Sequence, residues 1–339
     1  RGRTLTHMSL FASLGAATLE YSTRERRAAL RRPLNLWDSH SLSGSSEGCL
    51  SPQHRGQSSS DRASSEDGDE VPSSPGEPRS SVGDVLGLLA GLEPLLALTH
   101  ALALERGTTT GWVASCGTKL AQAAATRRAV TDAALAAAPG DHANLAALLS
   151  RCRTSADRDV AAASKGSTSA AEEGAAFVAT MGGYNALAYQ ALAVLSELPA
   201  CAAATAVSEF AALKETFAQI RGYVTGALLL RDAALAAVHG QVKGSLVIAF
   251  HRRRAYARSI RHQTPRRLLR LIGAGLELPP GLAQVVQRLE VECDLVALRA
   301  TLKPQQWWSL VTAHIDSLET MQHLLLGACA RTAQRRAAA

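Results

Sequence analysis

Arg106-Gly107-Thr108-Thr109-Thr110-Gly111 and Arg221-Gly222-Tyr223-Val224-Thr225-Gly226 carry Arg, Gly, Thr and Gly at the same four offsets, 115 residues apart in a chain of 339. Each copy lies in an Ala- and Leu-rich run that reads as helix, where a glycine costs about 1 kcal/mol against alanine. On a helix Gly107 and Gly111 stand at i and i+4 and open a groove on one face, with Arg106 and Thr110 as a polar strip beside it. Gly222, Gly226, Arg221 and Thr225 repeat that geometry. One reading is contact: small residues let a neighbouring helix approach, and the arginines solvate or meet a carboxylate. The other is a ligand site, in which each guanidinium offers several donors and no acceptor. The duplication predicts two related helical halves, each placing one arginine.

Composition points the same way. Hydrophobic residues make up 47% of the chain but aromatics only 4%, a mixture that favours helices packed through small side chains over a sheet. The net charge of +7 suggests anionic company without separating small anions, lipid headgroups and nucleic acid. Six cysteines, at 49, 116, 152, 201, 293 and 329, show no CxxC spacing and read as reduced thiols, not a zinc site or disulfide frame. No HExxH, phosphate loop or Ser-His-Asp set can be nominated, so no catalytic residue, metal ligand or cofactor is expected.

Along the chain, residues 1–36 form a basic arm with an amphipathic stretch, and 37–82 a Ser-, Gly-, Pro- and acid-rich linker too poor in apolar surface to offset its ordering entropy. From Val82 the leucines fall on a helical period, as in VGDVLGLLAGLEPLLALTHALALERG. That run is long enough to span a membrane, but Asp84, Glu93, Pro94 and His100 oppose it, and no transmembrane helix is expected. A kink or break is expected at Glu93-Pro94. Further helices are expected over Thr118 to Ala138, from an Asp141 cap through Arg153, over Ala170 to Leu198, Thr205 to Arg231 and Leu282 to Leu302, and from Gln305 to Arg331. Trp307 and Trp308, at the start of the last, read as core anchors. Between Val242 and Arg270 the arginines cluster without an acid, which reads first as a solvated face and second as a surface for RNA or acidic membrane.

The run Leu98 to Gly117, LTHALALERGTTTGWVASCG, resembles the opening signature of the nitrate- and nitrite-sensing (NIT) domain family. Further matches follow in order: Arg128 with Thr131-Asp132-Ala133-Ala134-Leu135, then Lys214-Glu215 with Arg221-Gly222, then Trp307 or Trp308 ahead of Thr312-Ala313-His314-Ile315-Asp316-Ser317-Leu318. Ala103 stands where that family has Gln. The resemblance spans about residues 83–330 and implies an all-α fold of two consecutive antiparallel four-helix bundles, roughly 83–200 and 201–330, with an anion between them. Nitrate is planar, and a guanidinium fork can donate two parallel hydrogen bonds to two of its oxygens.

The expected ligand is therefore nitrate or nitrite, held by Arg106 and Arg221 with Thr110, Thr225 and the backbones of Gly107 and Gly222 as helpers. A third arginine from Arg252 to Arg261 is left open. The expected function is a sensor module that passes a conformational change to an output domain or protein, with a homodimer open and nucleic acid disfavoured. Its expected location is the cytoplasm, or a membrane receptor reached through regions outside this chain. The alternative is a helical interaction or dimerisation module that keeps the fold without the ligand, or a basic surface for RNA or acidic membrane. An enzyme is not expected, unless a cyclase or kinase output accompanies the module in a longer product.

Overall fold

Leucine periodicity and alanine content drive most of the described chain into helix. The computed structural model describes residues 82–196 and 202–338. In order, these give α1 (Val82–Ala114), α2 (Ala121–Ala137), α3 (Ala143–Ser164), α4 (Ala170–Ser196), α5 (Ala202–Leu229) and α6 (Asp232–Gln263). The shorter α7 (Arg266–Ile272), α8 (Pro280–Val291) and α9 (Leu295–Thr301) lead to the long α10 (Pro304–Ala338). The all-α class follows, with no strand among the described residues. The expected arm and nearly all of the linker lie outside those residues, as does Pro199.

The two hexapeptide helices form the centre. α1 packs on α2, α4, α5 and α10, while α5 packs on α6, α10, α1 and α4. Gly111 lies beside Thr225 and Leu229 while Gly107 lies beside Arg221, so α1 and α5 run in the same direction. α10 runs against α1, pairing Gly107 with Trp308 and His100 with Glu319. One buried cluster, including Leu92, Leu98, Phe177, Phe210, Val224 and Leu318, runs through the helices.

Several local expectations are corrected. α1 runs unbroken through Pro94: the proline removes one ladder hydrogen bond, but buried Leu92, Leu95, Leu96 and Leu98 hold both flanks in the core. α2 starts at Ala121, not Thr118, because the chain reverses through Cys116, Gly117 and Leu120, all at positive φ. Asp141 accepts the Ala143 amide at 2.9 Å, yet the cap position itself is His142. The stretch from Leu282 to Leu302 is two helices. Cys293 at φ 44° breaks it, and the Asp294 carboxylate accepts the amides of Val296 and Ala297 to start α9. Within α6, Asp232–His262 is long and apolar enough to cross a membrane by length and composition; in this structure the helix packs on α5 and α4.

Candidate functional site: two buried arginines where α1, α5 and α10 meet

Arg106 and Arg221 are both 0% exposed and both lie within helices. A guanidinium cannot shed its charge at ordinary pH, so each must find partners inside. Arg106 reaches from α1 into a fork with Glu215 of α5: Nη1 donates to Oε1 and Nη2 to Oε2, the latter at 3.1 Å. Nη1 also donates to Asn185 Oδ1 of α4 at 3.0 Å. Its charge is therefore balanced across three helices.

Arg221 is held differently. Its Nη1 donates to Thr312 Oγ1 of α10 at 3.0 Å and its Nη2 to the Ala103 carbonyl of α1 at 3.0 Å. The Trp308 ring covers the guanidinium at 4.5 Å, a cation–π contact. Among the described residues no carboxylate lies within ion-pair distance of Arg221, and its Nε donor has no partner. Burial first, then the neighbouring Arg106 charge, lower its pKa to about 9. A buried cation without an ion-pair partner has thus been placed next to a second cation: Glu215 pairs directly with Arg106 and, with Asp316, acts on Arg221 only at longer range.

The paired residues on α1 and α5 divide their labour. Glu105 turns into α2–α4, accepting from Arg153 Nε at 2.7 Å and Nη2 at 2.8 Å and from Tyr184 OH at 2.6 Å, while adjacent Arg106 crosses to α5. Lys214 turns to α10, donating to Gln322 Oε1 at 3.0 Å, while adjacent Glu215 crosses to α1. Consecutive helical side chains point about 100° apart, so one dipeptide serves two neighbours. The lone pairs of Glu105 taken up by Arg153 and Tyr184 hold its pKa below the usual value against the opposing desolvation.

The four glycines are close-approach points. A Cβ on Gly107 would lie 2.7 Å from Trp308 Cη2, and one on Gly111 2.5 Å from Leu120 Cδ1. Gly222 and Gly226 receive Met181 and Phe177 of α4, themselves i and i+4. Thr110 donates back to the Arg106 carbonyl at 2.8 Å. Thr225 is 2% exposed and its hydroxyl has no partner.

A model of the family described as nitrate and nitrite sensing matches residues 97–330, well over half of the chain. The chain belongs to the NIT family. That family is one of sensor domains, not of enzymes. Among solved structures the chain is similar to the NasR transcription antiterminator, with a TM-score of 0.52 at 15% identity, over 76% of this chain and 71% of that one. At that identity the likeness is one of fold. No curated protein matches the chain.

In this NIT chain the Arg252–Arg261 cluster divides by environment. Arg253 pairs with Glu290 at 2.7 Å, while Arg258 and Arg261 are exposed. Arg252 stacks on Tyr189 at 5.1 Å and donates to its hydroxyl. Gln219 joins that hydroxyl to Glu215, its Nε2 donating to Tyr189 OH and to Glu215 Oε1 at 2.9 Å each. Sequence reasoning gave no role to Asn185, Tyr189, Gln219 or Thr312, and took Trp308 as a core anchor. Trp308 and Thr312 stand at i and i+4 on α10, which is the one signal that could have placed them on a common face.

Proposed function

We propose that this NIT-family chain senses nitrate or nitrite at Arg221 and Arg106 and transmits binding through α10. The observation that carries the reading is Arg221: a wholly buried guanidinium held by a hydroxyl, a carbonyl and an indole, with no carboxylate among its hydrogen-bond partners. A small flat anion supplies the missing charge and accepts a forked hydrogen bond. Arg106 lies on the adjacent face of α1, and Thr225 brings a free hydroxyl.

Access comes from the α10 side. Thr312 and Trp308 are only partly buried, so a small displacement of α10 opens Arg221 to solvent. The arriving anion takes the Thr312 position on Nη1, and α10 relaxes away from α1 and α5. A coupling of about 1–3 kcal/mol is enough to bias an output domain or protein that reads α10. The Arg252–Tyr189–Gln219 chain is the route by which a third arginine feels Glu215.

A second reading has its own observation. Glu215 and Asn185 hold both Nη atoms of Arg106 without any anion and leave only its buried Nε without a partner, as in a largely structural helix module. Calorimetric titration of the protein with nitrate, nitrite, chloride and sulfate, on wild type and on Arg106→Ala and Arg221→Met, separates the two. Saturable nitrate or nitrite heat that both variants lose supports sensing. Absence of any heat up to millimolar anion supports the structural module.

A further inference from the structure

Away from the arginines, α1 and α10 bring three metal-ligating side chains together that stand more than 200 residues apart in sequence. The ligand atoms of His100, Asp316 and Glu319 all lie within 4.8 Å of one another. Asp316 and Glu319 are i and i+3 on α10, so both carboxylates face the same α1 turn. The side chain of His100 is 18% exposed and that of Glu319 24%, and Asp316 is exposed, so the cluster opens to water on the Asp316 side.

The decisive detail is His100 Nδ1. It lies buried 3.0 Å from Glu319 Oε2, close enough for an ion pair when the ring is protonated and for shared coordination when it is not. Ligand bonds of about 2.1 Å at the tetrahedral angle place neighbouring donor atoms about 3.4 Å apart, so a small movement of either side chain brings this pair to the edge of a zinc polyhedron. The next rung of the same seam, His323 with Glu93, is looser at 4.0 Å and has no third ligand.

We infer that His100, Asp316 and Glu319 form a site for a divalent cation of the zinc class, with imidazole and carboxylate ligands and remaining positions open to water. The mixed nitrogen and oxygen set suits Zn²⁺ and disfavours cations that need six or more oxygens. Lys214 is the competing cation. Glu319 and Asp316 both act on its ammonium, and Asp316 also acts on Arg221. A metal that takes up these carboxylates withdraws their charge from Lys214 and Arg221, which leaves the arginine in greater need of an anion. This last step rests on the proposed anion site; metal binding itself does not.

The test is titration of the untagged full chain with ZnCl2 in nitrate-free buffer, read by calorimetry. The site predicts one equivalent bound, affinity at least tenfold lower in His100→Gln and in Glu319→Gln, and no change in His323→Gln. Melting curves without metal establish that the variants fold. Equal zinc affinity in all four proteins, or no stoichiometric uptake by wild type, overturns the site. A second titration with nitrate, with and without saturating zinc, reads the coupling: tighter nitrate with zinc supports it. Zinc uptake with unchanged nitrate affinity removes the coupling and leaves the metal site standing.

Discussion

Replacing Arg221 with methionine should make the protein more stable and blind to nitrate at once. Burial and the neighbouring Arg106 charge lower the pKa of this group to about 9, so the folded interior opposes its charged form by a few kcal/mol at ~1.4 kcal/mol per unit. Methionine has a similar length, fills the space beneath Trp308 and carries no charge to desolvate. Against that gain stand the lost bonds to Thr312 and Ala103. Those partners are tolerant, because Thr312 is partly exposed and the Ala103 carbonyl lies within the α1 ladder. Swaps of buried charges for apolar side chains elsewhere are neutral or stabilising by about 1–4 kcal/mol. The expected gain is about 1–3 kcal/mol, a rise in Tm of about 2–12 °C at 2–4 °C per kcal/mol. Differential scanning calorimetry with and without nitrate reads both effects. Wild type should climb with nitrate, by about 2.7 kcal/mol at a hundredfold excess over Kd, and Arg221→Met should not move. If Arg221→Met melts several degrees below wild type, Arg221 is a structural strut and the reasoning fails.

Other perturbations follow from the same geometry. Glu215→Gln removes the only charge balancing Arg106 and should cost about 3–5 kcal/mol without anion, with nitrate restoring more stability than it adds to wild type; an unchanged nitrate increment in the melting curve would speak against competition at Arg106. Gly107→Ala forces Trp308 off Arg221 and should lose about 1–3 kcal/mol by overpacking, read from the denaturant midpoint. His314 is buried against Phe217 at 4.5 Å between ring centroids, and burial, then the Arg253 charge, lower its pKa to about 4. The unfolded chain then binds the extra proton first, so the neutral-imidazole contribution is complete above about pH 6.5 and is lost as pH falls toward 4. That loss is about 3 kcal/mol, and His314→Phe should flatten that part of the pH–stability curve.

Much of this was legible in residue order. Leucine spacing and alanine content settled helix as the favoured structure of this chain. The duplicated hexapeptide located both arginines and the two helices at the centre, because glycines four apart in an apolar run are costly unless something lies against them. A break at Pro94 does not occur, because a local penalty of a few kcal/mol is outweighed by four flanking leucines that a linear reading cannot see buried. Cys293 was invisible as a break for the same reason: a non-glycine residue takes positive φ only when tertiary contacts hold it there.

Order alone could not say which charges meet. Whether Arg106 finds Glu215 or solvent, and whether Arg221 is left without a carboxylate, depends on the rotation of α1 and α5 about their own axes, set by Met181, Phe177 and Trp308 seating against the glycines. The same rotation carries His100 to Asp316 and Glu319 across two hundred residues. Periodicity fixes which side chains share a face; only packing decides what that face looks at, and in a low-dielectric interior that choice makes an arginine either a strut or a hand open for an anion.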